Sequence, residues 1–150
     1  MPAPVIAVVI PVFNEHAVLP KLFARLAALF DAQRDCAWRA VLVDDGSRDD
    51  SAALVRAQVA RDARFELVEL SRNFGFQAAL AAGLAHARSA DAVVTMDADL
   101  QDPPEVIPAL VAAWRDGADW LHHAGRACAV SRRRATHRDR RARRIPRPHL

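Results

Sequence analysis

Short apolar runs alternate four times with longer segments of helical character, and this alternation constrains the fold more than any other feature of the chain. Two of the runs, residues 5–10 and 92–96, are continuous and rich in β-branched residues, which is typical of strands buried on both faces of a sheet. A third, residues 38–43, is interrupted by Arg39. The fourth, Phe65–Leu70, alternates and favours an edge strand. Strands that alternate with helices predict an α/β fold, with a mostly parallel sheet, helices on both faces and right-handed crossovers. The predicted strands cover residues 5–10, 38–43, 65–70 and 92–96.

The segments that follow these strands predict four helices. Pro20 and Pro108 each fit a first helical turn, where a missing backbone N–H costs little. Gly83 indicates a point of close helix packing. Residues 118–120 resemble the start of a fifth strand, but no apolar run follows, so we expect a sheet that is incomplete at the C-terminus and has an open edge. Three of the predicted helices cover about residues 17–32, 76–88 and 106–114. The other runs from a cap at Asp49 or Asp50 to about residue 62.

Polar side chains follow every predicted strand, at the point where the strand ends. Because the carboxyl ends of parallel strands meet at one edge of a sheet, and ligands bind there, we expect these side chains to converge. So many acids at one edge would repel each other, and a bound cation would relieve that repulsion. The residues are Asn14 and Glu15, Asp44 and Asp45, Arg72 and Asn73, and Asp97, Asp99 and Gln101.

The last of these clusters has the chemistry of a metal site. Asp97 and Asp99 follow a buried strand and would project to the same side of an extended chain. Their carboxylates, with the amide oxygen of Gln101, are hard ligands that suit Mg²⁺ or Mn²⁺ better than zinc. Such an ion usually shares its coordination with the phosphates of a ligand. The alternative is a strand end that carries solvated acids in a turn.

The glycines exclude two common ways of binding a nucleotide. The five glycines form neither the Gly-x-Gly-x-x-Gly dinucleotide motif nor the Gly-x-x-x-x-Gly-Lys phosphate loop. A glycine cradle for phosphate is therefore not expected, and a metal ion is the favoured phosphate partner.

Charge divides the chain into two parts. Residues 121–150 contain ten arginines and one acid, Asp139, which leaves a net charge of −6 for residues 1–120 out of a total of +3. The basic pI therefore does not indicate that the body binds nucleic acid. The two cysteines, Cys36 and Cys128, match no metal spacing, and no apolar run reaches the ~18 residues of a membrane span. We expect a reduced, cytoplasmic protein without a membrane span.

Four motifs in order resemble those of the inverting family 2 glycosyltransferases, which have the GT-A (Rossmann-like) fold. The resemblance covers roughly the first 120 residues and is greatest to the polyprenyl-phosphate branch, which includes dolichyl-phosphate mannosyltransferase and bacterial undecaprenyl-phosphate sugar transferases. Ser-Arg-Asn-Phe-Gly and Asp-Ala-Asp-Leu-Gln-Asp-Pro-Pro-Glu are its most specific parts. The motifs are Ile10–Glu15, Val43–Ser47, Leu70–Gly75 and Met96–Glu105.

The resemblance implies a role for each residue of the predicted edge. Asp97 would lie near the ribose and diphosphate, and Asp99 with Gln101 would hold Mg²⁺ or Mn²⁺. Arg72 and Asn73 would lie near the diphosphate or the sugar. The residues that would border the nucleoside, with one of the paired aspartates on the N–H of the base, are Pro11, Val12, Asn14, Glu15, Asp44 and Asp45.

The resemblance also implies a reaction. A polyprenyl phosphate at the membrane surface would attack the anomeric carbon of a UDP- or GDP-sugar with inversion. The nucleophile is already anionic, so little general-base help is needed, and Asp97 and Asp99 are the residues implied in catalysis through the metal-held leaving group. A peripheral position at the inner face of the membrane would follow from this acceptor.

The sequence departs from that family after residue 120. We interpret residues 1–120 as the nucleotide-sugar-binding part of the domain and the Arg/His-rich residues 121–150 as a disordered tail, so that the chain is truncated and its activity is in doubt. Binding of the tail to lipid phosphates is a further alternative. A receiver-like phosphoacceptor domain is another alternative, but the single lysine, Lys21, lies in the first helix. A phosphatase with Asp97 as nucleophile and a nucleic-acid binder acting through the tail are the remaining alternatives.

Overall fold

A computed structural model describes residues 2–118 and 130–132. Its centre is a five-stranded sheet in the order β3-β2-β1-β4-β5, in which the first four strands of this order are parallel and β5 is antiparallel to β4. The predicted α/β class with a mostly parallel sheet is therefore confirmed. The strands are β1 (Val5–Val12), β2 (Ala37–Asp44), β3 (Phe65–Glu69), β4 (Ala92–Thr95) and β5 (Val130–Arg132).

The helices begin and end within two residues of the predicted positions. Pro20 and Pro108 lie in first turns, as predicted. The first helix begins later than predicted because residues 16–18 form a turn, in which the N–H groups of Val18 and Leu19 both donate to the carbonyl oxygen of Glu15. The helices are α1 (Leu19–Ala32), α2 (Ser51–Arg61), α3 (Phe76–His86) and α4 (Ile107–Arg115), with a 3₁₀ turn at Pro104–Val106.

Helices cover both faces of the sheet, as the sequence predicts. Alternate residues of β1 point to opposite faces, so that Ile6 and Val8 pack in one core and Ala7 and Val9 in the other. Helices α1, α2 and α4 contribute to the first core, and α3 contributes to the second. The central strands β1 and β2 are thus buried on both sides, which explains the continuous apolar sequence of β1 and the mostly apolar sequence of β2.

Helix α3 packs closely on the sheet through Gly83, as predicted. A Cβ atom at Gly83 would lie 2.4 Å from Cγ1 of Val9 and 2.9 Å from Cγ2 of Val43. The lack of a side chain therefore lets α3 pack closely on β1 and β2.

The sheet has one short strand that the sequence does not predict. Val130–Arg132 pairs antiparallel with β4, with Val94 opposite Val130 and Ala92 opposite Arg132. Three residues are too few for a periodic pattern, whereas the unpaired N–H and C=O groups of β4 favour backbone pairing regardless of sequence. The rest of the predicted tail lies outside the described residues. Within the described residues, the helices are too short or too polar to cross a bilayer.

A charged cluster joins the edge strand β3 to β2 and α3. The guanidinium of Arg39 donates to both carboxylate oxygens of Glu66, at 2.6 and 3.0 Å, and His86 Nε2 lies 2.7 Å from the same carboxylate. The hydrogen bond from Arg39 lowers the pKa of Glu66 from its ordinary 4.5, and the contact with His86 adds to this effect despite partial burial. This cluster is a source of pH-dependent stability.

We expect Glu66→Gln to reduce the free energy of unfolding by about 1 kcal/mol at pH 7 and to flatten its dependence on pH. Because the folded pKa is depressed, the stabilisation is complete above pH 4.5 and is lost as the pH falls through the folded pKa. Urea denaturation at pH 7, 5 and 3.5 measures this. Glu69→Gln is the control, because Glu69 belongs to a more exposed ion pair with Arg56. Equal pH slopes for Glu66→Gln and the unmodified protein would contradict the prediction.

Candidate functional site

A cavity of about 340 Å³ lies at the carboxyl ends of β1, β2 and β4, beside the start of α3. It brings together most of the residues that the sequence predicts for a ligand site, and it adds four that the sequence reasoning missed: Phe13, Gly75, Phe76 and Ala98. The predicted residues that line it are Pro11, Val12, Glu15, Asp45, Asn73, Asp97 and Asp99. The predicted residues that do not line it are Asn14, Asp44, Arg72 and Gln101.

Hydrogen bonds join the loop after β1 to the loop after β2. Asn14 has a left-handed backbone (φ 53°), and its N–H donates to Ser47 Oγ at 3.0 Å while its Oδ1 accepts from the N–H of Arg48 at 2.9 Å. The N–H of Glu15 donates to Ser51 Oγ at 2.9 Å. In this structure Asn14 therefore braces the wall of the cavity, and the bracing fixes the backbone that presents Glu15.

Asp49 extends this bracing through its carboxylate. One oxygen accepts from the N–H of Ser51 at 2.9 Å, and the other lies 2.7 Å from Nδ1 of His16. Burial raises the pKa of Asp49, but the hydrogen bonds from Ser51 and His16 outweigh it and hold this pKa well below its ordinary value. Of the two predicted caps, Asp49 holds the first N–H of α2, whereas the side chain of Asp50 makes no capping bond. The run Asp-Gly-Ser-x-Asp after a strand was the available signal for this loop.

The paired aspartates after β2 have different surroundings. Asp45 lines the cavity, and its two oxygens accept from the N–H groups of Phe74 at 2.8 Å and Gly75 at 3.1 Å. Asp44 is only 2% exposed, and its Oδ2 accepts from the N–H of Ser47 at 3.1 Å. Its Oδ1 is buried without a hydrogen-bond partner among the described residues. A buried acceptor of this kind is costly unless a ligand or water satisfies it.

A glycine allows the loops after β2 and β3 to touch. Gly46 has φ +70°, and a Cβ atom there would lie 2.4 Å from the carbonyl carbon of Arg72 and 2.4 Å from the backbone nitrogen of Asn73. Both atoms belong to the backbone, so they cannot rotate away as a side chain could. This contact sets the position of Asn73 in the cavity wall.

Acidic groups concentrate in the cavity. Burial raises the pKa of Glu15, and the nearby charges of Asp99, Asp49 and Asp97 raise it further. The chain also departs from an extended path here: β4 ends at Thr95, residues 98–99 form a turn, and Leu100 has φ +60°. The turn still leaves Asp97 and Asp99 on the same cavity.

The residues predicted to hold a metal lie on and beside the turn after β4. Oδ1 of Asp99 accepts from the N–H of Gln101 at 3.0 Å, which fixes the turn. Across residues 2–118 and 130–132, no group of three or more His, Cys, Asp or Glu side chains is arranged to hold a metal ion. The donor set nevertheless fits Mg²⁺ or Mn²⁺, because such ions are usually bound by one or two carboxylates and complete their coordination with phosphate and water.

An ion pair holds the end of this acidic loop against α1. Arg25 donates to the carboxylate of Glu105 through Nε at 2.9 Å and through a terminal nitrogen at 2.5 Å. The hydrogen bond from Arg25 lowers the pKa of Glu105, although burial opposes it. The Asp-Pro-Pro-Glu sequence thus leads the chain from the acidic turn to a contact with α1.

The mostly parallel sheet, with an acidic cavity at the carboxyl ends of its strands, defines an α/β domain with a candidate ligand site where such domains bind their ligands. The sequence model described as "Glycosyl transferase family 2" matches residues 7–149. The chain belongs to this family. Membership favours the glycosyltransferase interpretation over the receiver-like and phosphatase alternatives.

Curated relatives come from the polyprenyl-phosphate branch that the sequence motifs indicate. The chain is 46% identical over 115 residues to the undecaprenyl-phosphate 4-deoxy-4-formamido-L-arabinose transferase of Salmonella paratyphi A, covering 76% of this chain and 35% of that protein. The enzyme of the same description from Pseudomonas aeruginosa is 49% identical over 120 residues, covering 79% and 34%. The chain therefore spans about a third of the length of these relatives.

Solved structures confirm the fold. A mannosyltransferase from Pyrobaculum calidifontis, in complex with GDP-Man and Mn²⁺, matches with a TM-score of 0.67 at 23% identity, over 83% of this chain and 36% of that one. Glucosyl-3-phosphoglycerate synthase from Mycobacterium tuberculosis, in complex with Mn²⁺, UDP and glucosyl-3-phosphoglycerate, matches with a TM-score of 0.68 at 21% identity, over 87% and 57%. At these identities the likeness establishes the GT-A architecture.

Proposed function

We propose that this chain is the donor-binding part of a glycosyltransferase that moves a sugar from a UDP- or GDP-sugar to a polyprenyl phosphate. The observation that carries the proposal is the acidic cavity at the carboxyl edge, where Glu15, Asp45, Asp97 and Asp99 converge in a member of glycosyl transferase family 2. The names of the curated relatives support the lipid acceptor, and a lipid acceptor implies action at a membrane surface.

The nucleoside would lie between the ends of β1 and β2, bordered by Pro11, Val12 and Glu15. Of the paired aspartates, Asp45 lines the cavity and would face the base, whereas Asp44 is buried and supports the turn after β2. Asp45 would also shape the pocket by holding the loop before α3. Asn14 would act through the bracing of the β1 loop, and not by direct contact.

The diphosphate would lie between the acidic turn and the loop after β3. A bound Mg²⁺ or Mn²⁺ would neutralise the charge that develops on the nucleoside diphosphate as it leaves. Asp99 would hold this ion, with Gln101 and Asp97 beside it, while Asn73 would lie on the other side of the phosphates. Arg72 does not line the cavity and would lie nearer the sugar. The convergence of Glu15, Asp97 and Asp99 on one cavity supports a cation there, since burial and then the neighbouring carboxylates raise the pKa of Glu15.

The reaction would be a direct displacement with inversion. An oxygen of the lipid phosphate would form the new bond to the anomeric carbon, and the bond from that carbon to the diphosphate oxygen would break, with its electron pair leaving on the nucleoside diphosphate. The phosphate nucleophile is anionic, so no side chain needs to remove a proton. The chain's own contribution would be to position the donor and exclude water from the cavity.

Calorimetric titration of UDP and GDP tests the proposal. We expect one of them to bind in the presence of Mn²⁺ and to lose most of its affinity in EDTA, while uridine and guanosine, which lack the diphosphate, bind weakly in both conditions. A folded sample that binds neither diphosphate with Mn²⁺ would contradict the proposal.

A further inference from the structure

Three exposed aromatic side chains lie in and next to the loops that line the cavity. Phe13, Phe74 and Phe76 are 42%, 49% and 46% exposed, and Phe13 and Phe76 also line the cavity. Exposed rings are costly, and an apolar patch of this kind at a binding cleft marks an interaction site. Of the large hydrophobic residues in the described ranges, the fourth with comparable exposure is Leu84, on α3 beyond the cavity.

Two contacts hold the loop that carries Phe74. Asp45 accepts from the N–H groups of Phe74 and Gly75, so the loop before α3 is anchored to the end of β2. The guanidinium of Arg72 lies 4.6 Å from the centre of the Phe74 ring, in a cation–π contact. A surface whose rings are already ordered loses little entropy when an apolar ligand binds.

A positive charge lies at the edge of this patch. Arg72 makes no salt bridge with any carboxylate in residues 2–118. The cavity itself carries the acids Glu15, Asp97 and Asp99, which would repel an anion that lacks a compensating cation. The patch therefore combines an apolar surface with a single anion-binding group, and this pairing matches a ligand with one phosphate and a hydrocarbon chain.

We propose that Phe13, Phe74 and Phe76 bind the first isoprene units of the acceptor lipid while Arg72 binds its phosphate monoester. This rests on the proposed function, which supplies the donor in the adjoining cavity, and it assigns the acceptor to a place that none of the relatives' names specify. A protein segment that covered Phe13 and Phe76 permanently would also close the cavity to the donor, whereas a lipid that arrives as a substrate closes it only during the reaction.

Equilibrium dialysis with farnesyl phosphate, below its aggregation threshold and with Mn²⁺ and the nucleoside diphosphate that binds, tests the proposal. We expect farnesyl phosphate to bind at least tenfold more tightly than inorganic phosphate or farnesol. Phe74→Ala should weaken it about tenfold, because a ring that the lipid covers contributes about that much. Arg72→Gln should remove the preference for farnesyl phosphate over farnesol. Leu84→Ala is the matched control and should bind like the unmodified chain.

The outcomes separate this proposal from the proposed function. Nucleotide binding with Mn²⁺ but no binding of farnesyl phosphate would overturn the lipid site and leave the donor site standing. Equal losses in Phe74→Ala and Leu84→Ala would also overturn it, since they would indicate unspecific adsorption. Loss of nucleotide binding as well would remove both proposals. Phe74 and Leu84 are exposed, so circular dichroism should show both variants folded.

Discussion

Gly46→Ala is expected to lower the free energy of unfolding by about 3 kcal/mol, a large part of the stability of a small domain. Two effects add. Alanine at φ +70° is strained, and its Cβ would lie 2.4 Å from backbone atoms of Arg72 and Asn73. Relief of the clash requires the loop after β3 to move away from β2, which would displace Asn73 from the cavity wall. We therefore also expect weaker nucleotide binding in the fraction that folds.

Gly117→Ala is the matched control for this variant. Gly117 also has a positive φ, +103°, but a Cβ atom there would meet nothing within 4 Å. It should lose only the strain energy, about 1 kcal/mol, and should bind nucleotide unchanged. Urea denaturation of the two variants separates strain from contact. Equal destabilisation would mean that the loop after β3 relaxes freely around the new methyl group.

Most of the fold follows from local sequence patterns, and the exception has a physical cause. Strands β1 and β2 are buried on two faces and helix α1 on one, and each kind of burial determines which positions are apolar. The resulting sequence patterns therefore predict these elements. The strand Val130–Arg132 has no such pattern. It pairs through backbone groups at the β4 edge, and backbone pairing does not require a periodic side-chain pattern.

The location of the candidate site could be predicted from the sequence, but the contacts of its individual residues could not. The rule that strand ends converge correctly grouped Glu15, Asp45 and Asp97 around one cavity. It could not separate Asp44 from Asp45, because the partners of Asp45 lie far along the chain, in the loop before α3, whereas Asp44 bonds within its own loop. It also missed Phe13 and Phe76, because an aromatic residue beside a strand end predicts core packing as readily as an exposed position.

The backbone path of the acidic turn after β4 also could not be predicted from the sequence. Sequence reasoning placed Asp97 and Asp99 on one side of an extended strand, whereas the structure reaches that arrangement through a turn with Leu100 at a positive φ. A strained backbone next to a cluster of acids is consistent with a functional constraint, since such strain persists only where the surroundings fix it. The hydrogen bond from Gln101 to Asp99 and the ion pair between Arg25 and Glu105 hold the turn and the segment that follows it.

Asp99→Asn is expected to weaken Mn²⁺-dependent nucleotide binding by roughly 100-fold, at least as much as the loss of a residue that only supports a metal ligand. The substitution removes one negative charge and keeps the shape of the side chain. The amide oxygen of asparagine can still accept from the N–H of Gln101, so the turn should persist. The free energy of unfolding should stay the same or rise slightly, because Glu15 and Asp97 lose a repelling neighbour.

Calorimetric titration with UDP or GDP, in Mn²⁺ and in EDTA, measures this loss directly. Asp116→Asn is the control, because it makes the same chemical change in an exposed residue at the end of α4, away from the cavity. If Asp99→Asn retains full metal-dependent affinity, the metal must be held by other groups. If it loses affinity equally in Mn²⁺ and in EDTA, Asp99 contacts the nucleotide without a metal. The ion is assigned to the Asp99 carboxylate only if Asp99→Asn loses nucleotide affinity in Mn²⁺ and not in EDTA, while Asp116→Asn loses none. The two variants make the same change in charge and shape, so they differ only in position.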